Sequence, residues 1–310
     1  HDMKQSFLKS HLAVLLLILL AISWGCTCQQ QKKDGADEEG IVGSVTIDKQ
    51  LLDDFNKSKL IFYSLPSPLE TAMLIKRSGA GYNTDLLNDY TSTTRYNTNL
   101  KMALNLGVFS TDMSYSSLFD QTQSTLNFMG AARQLAEKLG VLEAIDEEVI
   151  RQLEENMNNR DVVMDIISET FMNSNAYLVE QDRPAIAVMV LVGGWVEGLY
   201  IATQLTNGSL ESNPELIDRI VYQKLSLETV LSLLESHKTN PDISFLIERM
   251  NELKVIFDEI RIVTVSDVEA ETHPEQKMTI LKSEAETFIT KDTLNRLLDK
   301  IREIRTEFIS

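Results

Sequence analysis

"AVMVLVGGWVEGLYIATQL", residues 187 to 205, decides the fold: nineteen residues carry one charge, Glu197, and three glycines. The length approaches that of a bilayer span, but Glu197, Gln204 and the glycines suit a protein core better than lipid. A phosphate-cradling loop would place its glycines at a strand-to-helix turn, usually with a lysine. Here Pro184 opens a helix, and no lysine lies between Arg183 and Asn207. Helical spacing puts Gly194 and Gly198 on one face, with Val190 and Ile201 extending a seam where another helix can approach closely. Gly193, Glu197, Tyr200 and Gln204, at i, i+4, i+7 and i+11, form a second stripe that is small or polar. Met189, Val192, Trp195, Val196 and Leu199 fill much of the remainder. The expectation is one central core helix over about 184–206, with Glu197 at least partly buried.

A buried carboxylate must be protonated, paired or hydrogen-bonded. One reading is a structural ion pair or polar network with a lysine, arginine or tyrosine of a neighbouring helix. The other is a polar pocket in which Glu197, Tyr200 and Gln204 face a small molecule. Polar residues in otherwise apolar segments are candidate neighbours: Asn105, Asp112, Tyr115, Gln121, Asn127, Asn159, Arg160 and Asn175. A cleft converging on Tyr200 and Glu197 would favour binding or acid/base chemistry, and a filled core would favour a structural role.

Outward from this helix, the chain is rich in helix punctuation. "SPLETAMLIKRSG" places Ser67 as N-cap, Pro68 at the first helical position, Glu70 three residues after the cap and Gly79 as a stop. Asn213-Pro214-Glu215 and Asn240-Pro241-Asp242 repeat the pattern. Leu216, Ile220, Leu227, Leu231 and Leu234 form one apolar stripe. Ile243, Leu246, Ile247, Met250, Leu253 and Phe257 form another, and Leu294, Leu297, Leu298, Ile301, Ile304 and Phe308 a third. Segments at about 47–62, 95–109, 116–139, 146–157 and 160–182 read as helices with weaker edges. Only Ile41–Ile47 and Arg261–Val265 have strand-like composition. The expected fold is all-α, a multi-helix bundle of amphipathic helices with at most a token strand pair; an irregular α-solenoid is the alternative, although no fixed repeat is visible.

The N-terminal region points to export. Lys4 and Lys9 precede an unbroken apolar run from Leu12 to Ile22 and then Ser23-Trp24-Gly25-Cys26, the layout of a signal peptide over 3–25. Both cysteines, Cys26 and Cys28, lie at its end, so a disulfide framework and a thiolate metal site have no residues to build them in the body. Gly25-Cys26 resembles a bacterial lipobox with Cys26 as the lipidated residue; Ser23 and Trp24 depart from its usual residues, and ordinary secretory cleavage is the alternative. Residues 26–45 are polar and glycine-containing, the composition of a flexible acidic tether. The body follows over 46–310, with the C-terminal helical part from about 262 a candidate semi-independent unit.

Removal of 1–25 takes Lys and Arg from 29 to 27, Asp and Glu from 46 to 45, and the net charge from −17 to −18. So acidic a chain argues against nucleic acid as a partner and against adsorption of the body to anionic lipid. The membrane is reached through the N-terminal lipid anchor instead. An envelope protein or a small molecule is the further partner class, and no cofactor is expected.

Searches for chemistry yield no catalytic residues and no metal site. His237 and His273 each stand beside an expected helix end, without the i+4 partner of a zinc pair. "GAGYN", 79–83, follows a helix rather than a strand and reads as a C-cap and loop. Glu147-Glu148 and Glu154-Glu155 fit solvated helix faces. An enzyme using Glu197 as general acid or base is the third functional reading, behind a scaffold or interaction protein and a small-molecule-binding protein.

"SLPSPLETAMLIKRSGAGYN" (64–83), "LNLGVFSTDMSY" (104–115), "NNRD" (158–161) and "GGWVEGLYIATQL" (193–205), in that order behind a lipoprotein signal, resemble a broad family of uncharacterised secreted helical lipoproteins of Bacteroidetes. The likeness covers most of 60–235. It implies an all-α fold and an envelope location, lipid-anchored to the outer membrane on its periplasmic or external face, and it brings no activity or site residues.

Overall fold

The computed structural model describes residues 68–141, 147–156, 159–264, 269–273, 278–282 and 285–310. The signal segment, Cys26, the tether, Ile41–Ile47 and the helix expected at 47–62 lie outside them.

The fold is all-α, a bundle around one pair of buried helices. Its helices are α1 (Pro68–Arg77), α2 (Asn99–Leu118), α3 (Thr122–Leu139), α4 (Glu147–Glu155), α5 (Arg160–Glu180), α6 (Pro184–Leu205), α7 (Pro214–Glu235), α8 (Pro241–Phe257) and α9 (Lys291–Ile309). Two short 3₁₀ turns, Thr84–Leu86 and Tyr90–Arg95, connect α1 to α2. The described residues all belong to one compact unit.

The opening stretch is α6, and every residue from Ile186 to Leu199 is buried. α6 has the length and hydropathy of a membrane span, yet 89% of its most apolar 18-residue window is covered by the rest of the protein. A helix apolar on all sides needs neighbours on all sides. α6 has them: it packs most extensively on α2 and also contacts α1, α5, α7 and α9. In a solenoid each helix pair would touch only its sequence neighbours, so this central helix defines a bundle.

Local signals set the helix starts. Asn213 and Asn240 accept from Leu216 N at 3.1 Å and Asp242 N at 2.9 Å, with prolines at the first helical positions of α7 and α8. The apolar stripes of α7, α8 and α9 are buried apart from half-exposed Leu231 and Ile247.

The sequence expectation fails at the boundary between α2 and α3. The expected helices over about 95–109 and 116–139 leave 110–115 between them, but α2 runs through this segment to Leu118. Its hydroxyls find acceptors without breaking the helix: Ser110 Oγ donates to Leu106 O at 2.7 Å and Ser114 Oγ to Ser110 O at 2.8 Å. The chain turns instead at Asp120, whose φ is +58°.

Between α8 and α9 lie two antiparallel strand pairs, more than the expected token pair. β1 (Arg261–Thr264) pairs with β4 (Ala285–Phe288), and β2 (Glu269–His273) pairs with β3 (Met278–Lys282). His273 therefore ends a strand and does not flank a helix. Beyond the strands α9 packs on α6, α8 and α2, so the last helix is part of the core rather than a semi-independent unit.

Candidate functional site

The site begins where α2 and α6 touch backbone to backbone. A Cβ on Gly193 would stand 2.0 Å from Leu104 O, and one on Gly107 would stand 2.0 Å from Val190 O and 2.6 Å from Gly194 N. No side chain fits in that space. Gly193, expected in the polar stripe, thus belongs to the tightest crossing, together with Gly107, which the sequence did not single out. Gly198 does not share this seam: a Cβ there would meet Thr71 Cγ2 of α1 at 2.4 Å. Thr111 Oγ1 stitches the crossing by donating to Gly194 O at 3.0 Å.

One turn past the crossing the two helices bring Asp112 and Glu197 together, both with no solvent exposure. Arg305 of α9 closes over them. Its Nε donates to Glu197 Oε2 at 2.9 Å and its Nη2 to Glu197 Oε1 at 3.0 Å, the two-pronged geometry that a planar guanidinium offers a carboxylate. Nη2 also donates to Leu86 O at 3.1 Å, and the guanidinium lies 4.6 Å from the centroid of the Tyr200 ring. Burial works against the Arg305 charge, but Glu197, in Coulombic contact and hydrogen bond, outweighs it and holds the guanidinium above its ordinary pKa, with Asp112 adding to the effect. Burial first, and the Glu197 charge second, push the Asp112 carboxyl well above the usual carboxylate range, against Arg305 and the Asn88 N–H.

A neutral network continues from Asp112. Its Oδ2 accepts from Asn88 N at 3.1 Å, and Asn88 Nδ2 donates to Tyr96 OH and Asn105 Oδ1, both at 3.2 Å. Asn105 Nδ2 donates to Phe308 O at 2.9 Å, Tyr96 OH to Ile309 O at 3.3 Å, and Lys101 Nζ to Glu307 O. The last carbonyls of a helix have no partners of their own. Side chains of α2, and Tyr96 just after the preceding 3₁₀ turn, supply them for α9.

The expected stripe therefore assembles, and α9 occupies it. Glu197 and Tyr200 meet Arg305. Gln204 Oε1 accepts from Arg302 Nη2 at 2.6 Å, and its Nε2 donates to Leu298 O at 3.3 Å. Of the candidate neighbours, Asp112 touches Glu197 and Asn105 joins through Asn88. Tyr115 belongs to another cluster, where it stacks on Tyr82 at 5.0 Å, accepts from Asn83 N and donates to Gly81 O, both at 3.0 Å. Burial pushes its hydroxyl up to about 12. Gln121 and Asn159 are exposed, Asn127 is half-buried near Gln123, and the side chains of Arg160 and Asn175 lie outside the description. Among the described residues no three His, Cys, Asp or Glu side chains are grouped to hold a metal ion.

Sequence reasoning missed Arg305, Asn88 and Tyr96. For Arg305 a signal existed: it stands four residues after Ile301 and three before Phe308, inside the apolar stripe of α9. The chain matches no protein-family model, no curated protein and no solved structure.

Proposed function

We propose that this chain is a lipid-anchored protein of the bacterial cell envelope whose helical body works as a scaffold or interaction module. One observation carries the preference for a scaffold over a binding pocket: Glu197 has no exposed surface, and both of its oxygens are held by Arg305. A ligand or substrate would have to displace an internal ion pair to reach it. The anchor rests on Lys4, Lys9, the apolar run Leu12–Ile22 and Gly25-Cys26, and the outer-membrane location on the resemblance to secreted helical lipoproteins. The strong negative charge keeps such a body soluble beside anionic lipid.

The test is metabolic labelling with a clickable fatty acid, followed by membrane fractionation. The wild type and Cys28→Ala incorporate label and sediment with membranes, whereas Cys26→Ala loses both label and sedimentation. Retention of label and membrane by Cys26→Ala contradicts the anchor. A small molecule that raises the melting temperature of the wild type, but not of Tyr200→Ala, would favour the binding reading over the scaffold.

A further inference from the structure

The buried cluster holds one acceptor more than the donors around it can serve. Glu197 commits both oxygens to Arg305. Asp112 Oδ2 takes the Asn88 N–H, and Asp112 Oδ1, fully buried, meets no N–H or O–H donor. Burial first, and the neighbouring Glu197 charge second, hold the Asp112 carboxyl well above its ordinary value. Two ionised carboxylates are acceptors only and repel each other, so a buried Asp112 Oδ1 without a donor, beside Glu197, calls for a proton on the pair.

We propose that Asp112 and Glu197 share a single proton, with Asp112 as the donor, and that this proton is a latch holding α9 on the core. With the proton in place the cluster is neutral: Glu197 is balanced by Arg305, and Asp112 carries no charge. Without it a net negative charge sits where no water reaches, and the state that relieves it is one that hydrates the pair. The covers over the pair are α9, through Arg305, and the short segment carrying Leu86 and Asn88. α9 is the cover that brings the cation, and it is tied to this region by Arg305, Phe308 O and Ile309 O.

Among the described residues, the ionisable group facing the pair is Arg305 from α9, whose guanidinium in turn lies over Tyr200 of α6. α1 and α3, which also pack on α2, send their lysines elsewhere, Lys76 to Leu118 O and Lys138 to Thr93 O. Asp161, Asp165 and Glu169 of α5 are exposed. The sign follows from Asp112, whose folded value is raised above its unfolded one. Its contribution to stability is fully present below the ordinary carboxyl value and is lost as pH rises through the folded value. The latch closes in acid and loosens toward alkaline pH.

Asp112→Asn tests this directly, because an amide N–H replaces the shared proton and cannot be lost. Hydrogen exchange of α9 amides, corrected for intrinsic rates, and urea denaturation are followed for both proteins from mildly acidic to alkaline pH. In the wild type the opening of α9 rises with pH, by about tenfold per pH unit inside the titration window, the slope of one proton. In Asp112→Asn this dependence is absent. The same pH dependence in both proteins, or a wild type that gains stability across the window, overturns the proposal. Should Asp112→Asn fail to fold, carboxyl carbon NMR of the wild type decides: one aspartate stays protonated well above the others. Titration of every aspartate near the ordinary value of about 3.9 overturns the proposal.

Discussion

Arg305 and Glu197 stand 108 positions apart and meet as a two-pronged ion pair in the core, with the Tyr200 ring beneath the guanidinium. The pair makes α9 an integral wall of the bundle, and it shows what the polar stripe on an otherwise apolar α6 is for. Glu197, Tyr200 and Gln204 each engage an arginine of the last helix.

The two ends of the pair are unequal. Arg305→Met leaves two buried carboxyl groups with no cation and should cost about 3–5 kcal/mol. Glu197→Gln leaves Asp112 able to ionise toward Arg305 and should cost about 1–3 kcal/mol. Urea denaturation at neutral pH measures both, and a larger cost for Glu197→Gln would contradict the three-membered cluster.

Much of this was legible locally. Pro184, Asn213 and Asn240 mark helix starts because caps act within three residues, and α6 announces its burial through apolarity on every face. The continuation of α2 through Ser110–Ser117 was not legible, since hydroxyls compete with the helix in an isolated peptide and bond back to it in the fold. β4 escaped because "AETF" carries no alternation, and a strand of four residues is defined by its partner. Asn88 and Tyr96 sit beside the 3₁₀ turns, in residues without periodicity. Their roles exist only because α9 arrives from more than 200 positions away.

The helix crossing should tolerate no added methyl. Gly193→Ala and Gly107→Ala each place a Cβ against a backbone carbonyl that cannot move aside, so each should destabilise by on the order of 3 kcal/mol although alanine is the better helix former. Gly130→Ala in α3 meets nothing within 4 Å and should be neutral or stabilising by up to about 1 kcal/mol. Thermal melts of the three variants check the order. Gly198→Ala should fall between them, because the obstruction is the Thr71 side chain rather than backbone.

The C-terminal turn of α9 depends on borrowed donors. Asn105→Ala removes the hydrogen bond to Phe308 O and one of the two acceptors of Asn88 Nδ2, leaving it Tyr96 OH, at a cost of about 1–3 kcal/mol. Hydrogen exchange should quicken over the last two turns of α9 and leave α7 and α8 unchanged. Uniform acceleration across all helices would mean that Asn105 supports the whole core instead.

The claim that the polar stripe of α6 is the docking face of α9 is tested most directly by a double-mutant cycle on Glu197→Gln and Arg305→Met, read by urea denaturation. Direct pairing predicts that the double variant is more stable than the sum of the single losses allows, by a coupling of more than about 1 kcal/mol. Additive losses, within about 0.5 kcal/mol, would show that the two side chains act independently and would contradict the account.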